Sequence, residues 1–100
     1  MDWVLTDHIE EIDELTNAQI RRIAQRAFNV IKKRTPVRTG TLRRGWELIH
    51  QRVGGVIQSI ARNEVEYVGF VEYGTSKMEG AHMVESVLWE LDNGSYRSHL

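Results

Sequence analysis

Thr35-Pro36-Val37-Arg38-Thr39-Gly40-Thr41-Leu42 holds the only proline of the 100-residue sequence and separates its longest helical pattern from its clearest strand pattern. Pro36 has no backbone N–H, its ring clashes inside a helix, and it pushes Thr35 out of the helical region. A helix arriving from the N-terminal side must stop there. Gly40 tolerates a positive φ that other residues resist, so the chain can reverse into whatever Thr41 and Leu42 begin.

Upstream, Ile20, Ile23, Ala24, Ala27, Val30 and Ile31 recur at threes and fours and predict one long amphipathic helix. Thr16 and Gln19 have the spacing of a capping box at its start. Lys32, Lys33 and Arg34 fall in its last turn, where cations offset the negative end of the helix dipole. Residues 1–15 are acidic, and Ile9, Ile12 and Leu15 after Asp7 predict an acidic arm or a short helix.

Downstream, Trp46, Leu48 and Ile49 among charged residues predict a strand within Leu42 to Val53, and Gly54-Gly55 is a two-residue hairpin signal leading into a return strand from Val56 to Ala61. The aromatic and β-branched run Tyr67 to Tyr73 reads as a third strand, with a short helical turn as the competing reading. After Ala81, Val84, Val87, Leu88 and Leu91 predict a second amphipathic helix, which Asn93-Gly94 stops. The expected architecture is a single α+β domain over residues 16–94. It comprises a long N-terminal helix, a small mainly antiparallel sheet with a Gly-Gly hairpin, and a C-terminal amphipathic helix, with residues 95–100 a frayed tail.

Net charge is close to neutral, yet the charges are segregated. The N-terminal residues are acidic, Arg21 to Arg62 holds almost all the cations against Glu47 alone, and Glu64 to Asp92 is acidic with only Lys77 opposing. Such segregation suits a subunit whose positive face meets the negative face of an identical neighbour; the alternative is a small nucleic-acid-binding module using Arg21 to Arg62. There is no cysteine, which excludes disulfides and thiolate ligands. No apolar run is long enough to cross a bilayer, and the N-terminus lacks the basic start and apolar block of a signal peptide, so a cytoplasmic protein without a membrane partner is expected.

No residues have the spacing of a catalytic or cofactor-binding motif. His8, His50, His82 and His99 are scattered, and His82 with Glu85 is a single helical-turn pair without a third ligand nearby in sequence. Gly74-Thr75-Ser76-Lys77 lacks the Walker spacing and reads as a turn. No enzyme activity, cofactor or metal is expected.

Two motifs taken together go further. Pro36, Val37, Thr39, Gly40, Leu42 and Arg43, followed some thirty residues later by Tyr67, Val71, Glu72, Tyr73, Gly74 and Thr75, resemble the tail-completion and head-tail joining proteins of long-tailed bacteriophages. In that family a helix ends in "A/T-P-V-D-T-G-x-L-R", a hairpin follows, and "Y-A-x-x-V-E-Y-G-T" leads into a final helix. The sequence departs from the pattern at Arg38, at Gly69 and Phe70, and at Glu79-Gly80-Ala81-His82 in place of a proline-rich lead into the last helix. The resemblance implies a structural virion protein, assembled in the host bacterial cytoplasm. It would form an oligomeric ring, six-fold by family pattern, at the neck or tail end, against connector or tail-tube proteins. The twelve motif residues are then expected at subunit interfaces.

Overall fold

The computed structural model describes residues 1–38 and 40–98, so Thr39 and the last two residues of the tail lie outside the described residues. Helix α1 spans Asn17–Arg34 and is started by the capping box: Thr16 Oγ1 accepts the Gln19 N–H at 3.2 Å, and Gln19 Oε1 accepts the Thr16 N–H at 3.0 Å. Its apolar stripe of Ile20, Ile23, Ala24, Ala27, Phe28 and Ile31 is buried. The helix ends at Thr35, whose ψ of 125° is the extended value that Pro36 imposes on its predecessor.

The chain then forms α2, a single turn over Thr41–Arg44, before strand β2, Trp46–Val53. The strand expected within Leu42 to Val53 therefore begins four residues after Leu42, which is a core residue of α2. Strand β3, Val56–Asn63, returns antiparallel with Val53 opposite Val56 across Gly54 and Gly55, both at positive φ.

The third strand of the sheet is not the Tyr67 to Tyr73 run. It is β1, Asp2–Val4, pairing antiparallel with β3 to give the order β1-β3-β2. Trp3 points inward against Trp46, with ring centroids 5.6 Å apart, while Asp2 on the other face meets the Arg62 guanidinium at 2.8 Å. Residues 1–15 are thus not a free arm, and their short helical pieces are 3₁₀ rather than α. After β1 come two 3₁₀ turns, Leu5–His8 and Ile12–Glu14, separated by a left-handed Glu11 that breaks the helical period. Leu5 is fully buried, which ties the segment into the core.

Tyr67 to Tyr73 instead yields helix α3, Val68–Tyr73. Val68 and Glu72, four apart, are buried on one side while Phe70 and Tyr73 face out, a helical rather than an alternating division. Helix α4 covers Glu85–Asp92 and buries Val87 and Leu91 against the core, where Val84 just before it is also buried. It starts later than Ala81 because the Ala81 N–H bonds to the Val71 carbonyl at 2.7 Å and the His82 N–H to the Glu72 carbonyl at 3.1 Å, with His82 at φ 49°, outside the helical region. The tail expected to fray is docked through residue 98: Arg26 donates to the Tyr96 carbonyl at 3.1 Å and also to that of Ser98, and the Tyr96 hydroxyl donates to Glu90. Among the described residues, no helix is long and apolar enough to cross a membrane.

Candidate functional site

The proline junction is held by its side chains. Thr35, 2 % exposed, donates its hydroxyl to the Ile31 carbonyl at 2.7 Å and accepts the Trp46 indole N–H at 2.9 Å, locking the end of α1 to the start of β2. Arg43 reaches back across the turn. Its guanidinium donates to the carbonyls of Lys32 at 3.0 Å, Lys33 at 3.2 Å and Thr35 at 3.4 Å, engaging the acceptors at the end of α1, of which that of Lys32 also takes the Thr35 N–H at 3.2 Å. Gly40 takes φ 74° to lead into α2, and Leu42 anchors that turn in the core. Asn63, fully buried at the end of β3, donates to the Leu42 carbonyl at 2.9 Å and accepts the Val65 N–H at 3.0 Å.

The second motif is built around Glu72. Its fully buried carboxylate accepts the Val84 N–H at 2.9 Å and the Glu85 N–H at 2.7 Å, supplying the cap that α4 lacks from any residue of its own N-terminus. Gly74 and Gly80 sit back to back. A Cβ on Gly74 would lie 2.5 Å from the Gly80 nitrogen, and one on Gly80 would lie 2.4 Å from the Glu72 carbonyl oxygen. Gly74 also requires φ 82°. Between them Thr75 closes a tight turn: its N–H donates to the Met78 carbonyl at 2.8 Å, and its Oγ1 accepts the Lys77 and Met78 N–H groups at 3.2 Å.

These two constructions meet at the surface. Pro36 and Arg38 from the junction and Phe70, Val71, Thr75 and Met78 from the second motif and its loop line a groove of about 370 Å³, with Glu79 and Ala81 at one side. It adjoins a hollow of about 310 Å³ between Pro36, Leu42, Tyr67 and Val71. The surroundings are apolar and solvent-facing: Phe70 is 67 % exposed, Met78 65 % and Val37 53 %. On the far side of Phe70 a hollow of about 550 Å³ runs to Met1 and Tyr73, so Phe70 forms a ridge between two concavities. Tyr73 is half exposed, and its hydroxyl accepts the Trp3 indole N–H at 3.2 Å.

The motif residues therefore divide by role. Pro36, Val37, Tyr67, Val71, Tyr73 and Thr75 reach the groove or its surroundings; Gly40, Leu42, Arg43, Glu72 and Gly74 act from behind or beneath it. Thr39 lies outside the described residues. The twelve motif residues named from the sequence include neither Gly80 nor the exposed pair Phe70 and Met78. The dipeptide Gly80-Ala81 ahead of a helical stripe was the available signal for a close backbone approach.

Glu72, His82 and Glu85 bring three possible ligand atoms within 4.8 Å of one another. Both oxygens of Glu72 already accept backbone N–H groups, and the cluster stands at the positive end of the α4 dipole, an unfavourable place for a cation. His82 Nδ1 lies 3.2 Å from Glu85 Oε2, an exposed pair complete without a metal. Elsewhere, hydrogen bonding from Arg34 holds the Glu90 carboxyl below its ordinary value, and Arg62 does the same for Asp2. Burial, and then Arg21, pushes the His50 imidazole down, while burial and the bond to Glu90 push the Tyr96 hydroxyl well up.

An α+β domain that uses its signature residues for turns, a helix cap and an exposed apolar groove has the make-up of a contact-making structural component. Comparison with known families agrees: residues 3–74 match the HK97-gp10-like family model, described as "Bacteriophage HK97-gp10, putative tail-component". The chain belongs to this phage tail-component family. No curated protein and no solved structure matches it.

Proposed function

We propose that this chain is a structural protein of the phage neck or tail end, where identical copies form a ring that completes the tail or joins it to the head. The ring is six-fold on the pattern of the resembling proteins, and its neighbours are connector or tail-tube proteins. The observation that carries the reading is the convergence of both family motifs on one exposed apolar groove, with Pro36 on one side and Tyr67, Val71 and Thr75 on the other. Exposed apolar concavities of this kind mark interaction sites. β2 adds a second surface, because it is an eight-residue edge strand with one side unpaired by the sheet. The test is mass measurement of the protein in solution, alone and with isolated tail tubes or portal-capped heads. A ring, formed alone or on those partners, is expected; a monomer under every condition contradicts the reading.

A second reading rests on α1, which carries Arg21, Arg22, Arg26, Lys32, Lys33 and Arg34 and no acidic residue. Binding to duplex DNA with a steep salt dependence, lost on replacing the exposed Arg21, Arg22 and Lys33, would favour it. Arg43 is unsuited to that test, since its guanidinium holds the end of α1.

A further inference from the structure

The groove has a counterpart elsewhere on the same chain. Helix α4 turns Val87 and Leu91 into the core and leaves Glu85, Trp89 and Asp92, at i, i+4 and i+7, on its outer face. Trp89 is 67 % exposed, and its indole N–H makes no hydrogen bond among the described residues. The carboxylates on either side of it each have an imidazole partner in the same chain, Glu85 with His82 at 3.2 Å and Asp92 with His8 at 3.1 Å, and the indole has none among the described residues.

The groove has an apolar floor with one cation and one anion in its lining, and two further cations stand beside it. Arg38 forms part of its wall, Lys77 adjoins Met78 in the tight turn, and the Arg44 guanidinium lies over Gly40; none of the three is in an ion pair among the described residues. Glu79 is the one acidic residue in the lining. The chain's own Trp89 is not in the groove lining, so it does not fill its own groove.

We infer that a second copy of this chain seats Trp89 in the groove between Pro36, Phe70 and Met78, with its Glu85–His82 and Asp92–His8 pairs opening toward Arg38 and Lys77. This rests on the ring reading and names the contact that builds it. Tryptophan in a desolvated pocket ringed by polar contacts is the commonest form of interface hot spot, and opposite charge around it fixes orientation. Donor and acceptor surfaces are different parts of one chain, so the contact is heterologous and repeats head to tail, closing into a ring when the rotation per copy divides a full turn.

Two variants test this, each altered at exposed positions so that the core is untouched: Trp89→Ala, which keeps the groove, and Phe70→Glu with Met78→Glu, which keeps the tryptophan. Circular dichroism checks their folding and sedimentation velocity reads their assembly. Each variant alone is expected to associate at least about 30-fold more weakly than the natural chain, the size of an interface hot spot. Mixed, they are expected to give a dimer of one copy of each that grows no further, because only one competent contact remains. Assembly of Trp89→Ala equal to that of the natural chain, or a mixture that gives no dimer, overturns the inference. So does a natural chain that stays monomeric across its soluble range at low salt. The tail-component reading is judged separately, by whether the chain is present in purified particles.

Discussion

Glu72 on α3 and Val84 at the start of α4 are joined by a 2.9 Å hydrogen bond from the Val84 N–H to the Glu72 carboxylate, and the Glu85 N–H donates to the second oxygen at 2.7 Å. A buried carboxylate twelve residues earlier in the chain thus caps the last helix. Glu72→Gln keeps one acceptor and loses the charge, and should cost about 1–2 kcal/mol; Glu72→Ala strands both N–H groups and should cost about 3 kcal/mol. Urea denaturation measures both, with Glu85→Gln as an exposed comparison near zero.

Gly80→Ala drives a methyl group into backbone, 2.4 Å from the Glu72 carbonyl oxygen and 2.6 Å from the Tyr73 carbonyl carbon. The expected loss is about 3 kcal/mol, and the Gly74–Gly80 contact must open. Gly54→Ala meets nothing within 4 Å and carries only its positive-φ strain, about 1 kcal/mol. Thermal unfolding of the two variants should differ in that order.

Arg43 and Arg44 are neighbours with different roles. Arg43→Ala removes the donor to three carbonyls at the end of α1 and should cost about 1–2 kcal/mol, whereas Arg44→Ala should fall within about 0.5 kcal/mol of the natural chain. Equal effects in chemical denaturation would remove the capping role assigned to Arg43.

Acid should weaken the fold through Glu90 and Asp2. Hydrogen bonds from Arg34 and Arg62 hold these carboxyl groups below their ordinary values in the folded chain. The unfolded chain therefore takes up protons first as pH falls, and the stabilisation present above the ordinary carboxyl range disappears as pH drops through the folded values. Melting temperature followed from neutral pH into the acid range should fall less steeply in Glu90→Gln than in the natural chain.

Much of the fold could be read from local pattern. The α1 stripe, its Thr16–Gln19 cap and the Pro36 stop depend on residues close in sequence, and each took the form its chemistry dictates. The readings that failed depended on distant partners. Asp2–Val4 is too short to show a period, and becomes a strand because Trp3 has Trp46 to pack on and β3 has an edge to fill. Tyr67 to Tyr73 has strand-like composition, yet burying Val68 and Glu72 while Phe70 between them faces out required a helix, and Glu72 has its capping role only once α4 is in place. Of the site, the two motifs were visible in sequence. Their meeting at one groove, and the part played by Phe70 and Met78, needed the tertiary arrangement of α3 and its loop against the proline junction.

The most direct test of the account is to label purified phage particles with an antibody against this chain and to count its copies per particle by quantitative mass spectrometry. The account predicts label confined to the neck or tail end, at a fixed copy number that matches a single ring. Intact, infective particles free of the chain, with all of it left in the lysate, would contradict it.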